Sequence, residues 1–133
     1  MDRRNFLKAV PACLLFGCAT VPAYRAQTRD GKMILSEAEL EPLFLKSMAV
    51  IAHSGAFSVV LLRDAAGAYR ALEAECPHLG CQVRPGKKMI TCPCHGSAFA
   101  LDGRLLRGPA ERSLRTYSLV SHDGILEIAL SSQ

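Results

Sequence analysis

From Met33 onward the chain alternates short apolar or β-branched runs with turn signals. Met33 to Leu35, Ala49 to His53, Ser58 to Arg63 and Tyr69 to Glu75 are the first such runs, broken at Ser54-Gly55 and at Asp64-Ala65-Ala66-Gly67. Runs of this length between such breaks predict β-strands. Val59-Val60-Leu61-Leu62 is apolar at consecutive positions, so that strand is predicted to be buried on both faces. Ser36-Glu37-Ala38-Glu39-Leu40-Glu41 departs from the pattern and predicts a single helical turn, capped by Ser36 and ended before Pro42. Toward the C-terminus, Asp102-Gly103 predicts a hairpin joining Ala98–Leu101 to Arg104–Leu106. Asp123-Gly124 predicts a second, joining Thr116–Val120 to Ile125–Leu130. There is no internal repeat and no low-complexity tract. The pattern as a whole predicts a β-rich domain.

The N-terminus is different. Ala9 to Tyr24 is a run of 16 residues without a charge, about 24 Å as a helix against a hydrocarbon core of about 30 Å. Pro11 and Pro22 interrupt it. Ahead of it, Asp2-Arg3-Arg4-Asn5-Phe6-Leu7-Lys8 resembles the twin-arginine export motif, read by a translocase that moves proteins already folded around their cofactors. Three fates of the apolar run are open. Leu15-Phe16-Gly17-Cys18 resembles a bacterial lipobox with Cys18 as the acylated residue; the run is a marginal retained span; or cleavage follows Ala23 in Val21-Pro22-Ala23. Residues 1–25 are thus read as a signal and possible membrane anchor, 26–32 as a polar tether, and 33–133 as one compact domain, since the roughly 108 residues left after the first 25 suffice for one core and not two.

Charge narrows the function classes. The net charge is +4, but Arg3, Arg4, Lys8 and Arg25 lie in or beside the signal, where Asp2 is the one acid, so the domain itself is close to neutral. With no basic run, no interleaved aromatics and no Trp, nucleic-acid binding is not expected. No Ser-His-Asp, P-loop or paired-carboxylate constellation points to catalysis by this chain alone.

The chemistry sits in two short loops, Cys76-Pro77-His78-Leu79-Gly80-Cys81 and Cys92-Pro93-Cys94-His95-Gly96-Ser97. Each offers one Cys and one His at metal-ligand spacing, plus one additional Cys. Two Cys and two His also make a tetrahedral zinc site, but Cys-x-His is tighter than the usual zinc knuckle and both loops carry the extra Cys. The pair of half-motifs resembles that of the Rieske proteins, which hold a [2Fe–2S] cluster with two Cys on one iron and two His on the other. That ligand set has a physical consequence. Four thiolates would leave the oxidised cluster at a formal charge of about −2, whereas two neutral imidazoles in place of two thiolates bring it to about 0. An added electron is resisted less, and the family's potentials lie at about −150 to +300 mV against about −400 mV for all-Cys plant-type ferredoxins.

The resemblance covers roughly Met33 to Leu130 and is strongest from Tyr69 to Ala110. It implies a Rieske-type antiparallel β-sandwich with a small cluster-binding subdomain, and a cluster held by Cys76, His78, Cys92 and His95. In the subgroup that works in cytochrome bc-type complexes, the positions of Cys81 and Cys94 form a disulfide tying the two loops together; soluble oxygenase ferredoxins usually lack it. Ser97 matches a Ser that bonds a bridging sulfide, while Phe99 stands where the highest-potential members carry a Tyr, which implies an intermediate potential. Gly108-Pro109-Ala110 corresponds to the segment that covers the cluster. The implied function is electron transfer as the Rieske subunit of a quinol:cytochrome c (bc-type) complex of a respiratory chain, at the outer face of a bacterial inner membrane. His95 would contact a quinol, menaquinol in preference to ubiquinol, and the partners would be a cytochrome b-type subunit and a c-type cytochrome. The alternative is an exported electron-transfer subunit of a periplasmic molybdenum oxidoreductase of arsenite-oxidase type.

Overall fold

A computed structural model describes residues 20–131. The twin-arginine motif, Cys18 and most of the apolar run lie outside the described residues. Among the described residues, no helix is long and apolar enough to cross a membrane.

Three sheets stack around one central strand pair. The strands are β1 (Ala23–Arg25), β2 (Gln27–Arg29), β3 (Lys32–Ser36), β4 (Ala49–Ser54), β5 (Phe57–Arg63) and β6 (Tyr69–Glu73), with helix α1 (Glu37–Phe44) between β3 and β4. There follow β7 (Arg84–Pro85), β8 (Ile90–Thr91), β9 (Ala98–Phe99), β10 (Leu105–Arg107), β11 (Thr116–Tyr117), β12 (Leu119–His122) and β13 (Ile125–Ala129). The central sheet runs β1-β4-β5-β6-β11, the base sheet β12-β13-β3-β2, and a third small sheet β10-β9-β8-β7. All pairings are antiparallel except β1 with β4.

The consecutive apolar run in β5 shows why two layers can grip the central sheet. Side chains alternate across a strand. Val59 and Leu61 join Met33, Leu35, Leu126 and Ile128 of the base sheet and Leu40 and Phe44 of α1 in one core. Val60 and Leu62 face the other way, into a core shared with Ile90, Phe99, Cys76 and Cys92. Strand β4 repeats the division, Val50 and Ala52 to the base, Ala49 and Ile51 to the other side. The second core is therefore the floor of the two Cys/His loops, and burying a Val or Leu there contributes about 1.5–3 kcal/mol per side chain.

Four sequence expectations need correction. The helix does not stop before Pro42; Glu37–Phe44 runs through it. Pro42 withdraws the amide that would bond the Ala38 carbonyl, but both residues are exposed and water can take that bond. Ser36 stands at the N-cap without a side-chain cap bond. The strand expected over Thr116–Val120 is two strands, β11 on β6 in the central sheet and β12 on β13 in the base sheet, so the chain changes layers at Ser118. Tyr69–Glu75 keeps its strand only to Glu73.

The fourth correction concerns the tether. Gln27–Arg29 pairs with β3, Ala26 is buried, and Ala23–Arg25 lies along β4. The turn between β2 and β3 is Asp30-Gly31, with φ of 52° and 72°, the same left-handed pair as Asp123-Gly124 at 49° and 75°. An Asp-Gly signal was thus present in the segment expected as a tether. Val21 already packs on the second core, and the Pro22 carbonyl accepts the Ile51 N–H at 2.9 Å.

Candidate metal centre

The two loops are built on one frame. In the first, following β6, the Cys76 N–H donates to the Cys81 carbonyl at 2.7 Å and the Gly80 N–H to the Cys76 carbonyl at 2.9 Å. In the second, between β8 and β9, the Cys92 N–H donates to the Ser97 carbonyl at 2.8 Å and the Gly96 N–H to the Cys92 carbonyl at 3.1 Å. Each is a six-residue loop closed by a glycine at its fifth position, φ 79° at Gly80 and 82° at Gly96, a conformation glycine adopts without steric cost. Within that shared frame His78 occupies the third position and His95 the fourth, which accounts for Cys-x-His in one loop and Cys-x-x-His in the other.

Burial divides the four residues in two. Cys76 and Cys92 are free thiols at 2% and 3% exposure, on the floor formed by the second core. His78 and His95 are exposed, with their ring centroids 4.9 Å apart and the rings edge to face. Leu79, at 67% exposure, stands beside them. Cys81 and Cys94 are joined, with a Cα separation of 6.4 Å, as expected from the resemblance. Cys92 lies against this bridge, its sulfur within 4.8 Å of both bridge sulfurs. Because Cys81 and Cys94 are spent on each other, Cys92 is the one of the three left to bind a metal.

The donor set fits an iron–sulfur cluster. Burial pushes the Cys76 thiol above its usual range, against hydrogen bonds from the His78 backbone N–H and the Ser97 hydroxyl; the neighbouring Cys92 pushes it further up. A buried thiol such as Cys76 resists charge unless a metal takes the place of its proton, and N–H and O–H donors aimed at sulfur are what a thiolate ligand needs. Outward imidazoles complete a set of two soft and two borderline ligands.

Behind the loops, Ser97 is fully buried, and its Oγ accepts the Ala110 N–H at 3.0 Å. The Gly108-Pro109-Ala110 segment is thereby fastened to the second loop, a link that sequence alone did not provide. Phe99 is fully buried in the same core as the two free thiols, so an unhydroxylated ring fills that position. A further tie was also unforeseen. Arg112 grips Glu73 with Nη1 at 2.8 Å and Nη2 at 3.0 Å, and the Arg115 N–H reaches the same carboxylate at 3.1 Å. This joins the end of β6, just before the first loop, to the segment that follows Gly108-Pro109-Ala110.

Burial pushes the Glu73 carboxyl up, but Arg112 and the Arg115 N–H outweigh it and hold it below its ordinary value. A carboxylate with a lowered folded-state pKa contributes stability above its unfolded value and loses it as pH falls through the folded one. Glu73→Gln is therefore expected to cost about 1–3 kcal/mol near neutral pH. The difference from wild type should shrink as both are titrated into acid, which denaturant midpoints across that range will check.

With this geometry described, the chain can be set beside known proteins. The Rieske [2Fe-2S] domain family matches residues 32–118. The chain is similar to cytochrome b6-f complex iron-sulfur subunits: 44% identical over 61 residues to that of Synechococcus sp. (strain JA-3-3Ab), covering 44% of this chain and 36% of the relative. To that of Chlorobaculum tepidum it is 34% identical over 74 residues, covering 54% and 41%. The match therefore spans well under half the length of these curated relatives. Among solved structures it is similar to the cyanobacterial plasma membrane Rieske protein PetC3 from Synechocystis PCC 6803, with TM-score 0.57, 29% identity, and 70% of this chain and 93% of that one covered. The ferredoxin of carbazole 1,9a-dioxygenase from Nocardioides aromaticivorans IC177 shares the fold, with TM-score 0.56, 19% identity, and 74% and 95% covered. The family match extends over more than half of the chain and includes both loops, the inter-loop disulfide and the Gly108-Pro109-Ala110 segment: this protein belongs to the Rieske [2Fe–2S] family and is homologous to cytochrome b6-f iron-sulfur subunits.

Proposed function

We propose that this chain is the electron-transfer subunit of a bc-type complex, taking one electron from a quinol and passing it to a c-type cytochrome. In this reading Cys76, His78, Cys92 and His95 are the cluster ligands. The observation that carries it is the division of the site into two buried thiols and two adjacent exposed imidazoles. When bound, the cluster supplies a one-electron couple at the protein surface. The residues do the rest. The exposed ring nitrogen of His95 accepts the hydrogen bond, and then the proton, of a quinol hydroxyl. Leu79 and Leu106, at 67% and 51% exposure, offer apolar surface to the quinol pocket beside a cytochrome b-type subunit. The disulfide and the segment fastened by Ser97 hold the loops closed and keep water from the buried sulfurs.

The same reading places the protein at the outer face of a bacterial inner membrane, exported by the twin-arginine route. Cleavage after Ala23 would remove Val21 from the core and Pro22 from its bond to Ile51, which favours an anchor formed at Cys18 or by a retained N-terminal segment. Because residues 26–32 are built into the domain, any swing between partners has to originate before Pro22.

Potential and substrate test the reading together. Ser97 offers a hydroxyl to sulfur and Phe99 offers none, so one donor is present and one is missing. A hydrogen bond to sulfur favours the reduced state by about 1–1.5 kcal/mol, roughly 40–60 mV for one electron. Phe99→Tyr is expected to raise the midpoint potential by about that much and Ser97→Ala to lower it, in a redox titration followed by the cluster's EPR signal. A lower-potential acceptor suits a lower-potential donor, so turnover of the purified complex is expected to favour menaquinol over ubiquinol. Co-purification with a molybdopterin subunit in place of cytochrome b would replace this assignment with the arsenite-oxidase type.

A further inference from the structure

We propose that Arg107 is a positioning residue of the metal centre: it fixes the carbonyl of Gly96, the residue after His95, and places a positive charge without an ion-pair partner beside the loop that carries His95. The proposal rests on the ligand assignment above.

Arg107 donates its Nε–H to the Gly96 carbonyl at 3.1 Å. Gly96 directly follows His95, and its own N–H is held by the Cys92 carbonyl at 3.1 Å. The residue after His95 is thus fastened from its amide by the loop and from its carbonyl by Arg107. Three residues beyond Arg107, the Ala110 N–H bonds Ser97 Oγ at 3.0 Å. Residues 107–110 therefore grip the second loop at two neighbouring positions, Gly96 and Ser97, one on each side of Gly108-Pro109. The disulfide ties that loop to the first one covalently; this double hydrogen-bonded grip ties it to the cover segment.

The charge is distinctive as well. Arg63 is spent on Glu41 and Arg112 on Glu73, whereas Arg107 forms no ion pair among the described residues. It is the most local expression of a wider asymmetry: residues 76–115 carry seven Lys or Arg and two acids, Asp102 and Glu111. A fixed cation beside the site lowers the energy of an added electron by Coulomb attraction, damped by water because Arg107 is exposed. Position and charge act in the same direction, toward a higher potential and a single orientation of His95.

The test uses the full-length protein with its cluster, in an EPR-monitored redox titration of wild type, Arg107→Gln, Arg107→Lys and Arg104→Gln. Arg107→Gln is expected to lower the midpoint potential and shift the g-values. Arg107→Lys keeps the charge and is expected to restore the potential, and Arg104→Gln, three residues away on the hairpin turn, to leave it unchanged. Hydrogen exchange gives an independent readout, since the Gly96 amide is expected to exchange faster in Arg107→Gln. Wild-type potential and wild-type Gly96 exchange in Arg107→Gln would overturn the proposal. Failure of the ligand assignment would look different: the wild-type protein would give no Rieske spectrum, while the Gly96 amide would still report on the Arg107 contact.

Discussion

His95→Ala is expected to eliminate the cluster signal and leave the fold standing. Both halves follow from where the residue sits. His95 is exposed on a loop whose closure is made by backbone bonds at Cys92, Gly96 and Ser97, none of which involves the imidazole. Losing the ring removes little buried surface. In the proposed ligand set its loss is another matter, because an iron left with a single protein donor would have no neighbouring side chain to take the vacant place: Cys81 and Cys94 are joined to each other, and Cys76 and Cys92 face the core. Cys92→Ala is expected to give the same loss of the cluster signal, because it removes the buried sulfur and leaves only the Cβ methyl group. The measurement is iron and sulfide content with the EPR spectrum of the reduced protein, beside a denaturant midpoint for the fold. An intact and unshifted rhombic spectrum in His95→Ala would remove the residue from the ligand set. A colourless, zinc-loaded wild type would remove the cluster itself, since zinc neither absorbs visible light nor changes on reduction.

The chemistry was legible because it is local: each half-motif lies within one six-residue loop, and the spacing of Cys and His survives any arrangement of the strands. The strands were legible for the same reason wherever a run was bounded by turn residues, as at Ala49–Ser54 and Phe57–Arg63. What escaped was set by distant partners. β1 and β2 are short and largely exposed, and they are strands only because β4 and β3 offer them free edges. The layer change at Ser118 depends on which of two sheets each half can reach. Pro42 misled because its missing bond falls on the solvent side of a helix held by Leu40 and Phe44. In the site, the contacts that stiffen the loops link residues 11, 13 and 39 positions apart, Arg107 to Gly96, Ala110 to Ser97 and Arg112 to Glu73. No local pattern announces such pairs. Ser97 and Ala110 were both singled out beforehand, Ser97 for a bond to sulfur and Ala110 as part of a covering segment, but not as partners of each other.

Breaking the Cys81–Cys94 bridge is expected to be the most damaging change that leaves all four proposed ligands in place. The bond spans a sequence separation of 13 residues, and closing a loop of that size restricts the unfolded chain by about 3 kcal/mol. That is a large share of the roughly 5–15 kcal/mol by which a domain of this kind exceeds its unfolded state. The effect on the site goes further than global stability. The first loop is held by its own backbone bonds and by Val83 on Ala74, but the bridge is its covalent connection to the second loop, and Cys92 lies directly against it. Without the bridge the two halves of the ligand set can separate, water gains access to the buried sulfurs, and the environment that sets the potential changes. Cys81→Ser with Cys94→Ser is the cleaner variant, since a single substitution leaves an exposed thiol free to form other disulfides. It is expected to bind the cluster at first, to lose it several-fold faster at a given temperature, and to unfold at a lower denaturant midpoint by an amount corresponding to about 3 kcal/mol. Mass spectrometry of unreduced wild-type protein should recover Cys81 linked to Cys94. If the double variant kept both the cluster lifetime and the midpoint of wild type, the bridge would be a bystander, and the hydrogen bonds at Gly96 and Ser97 would be sufficient to hold the loops closed.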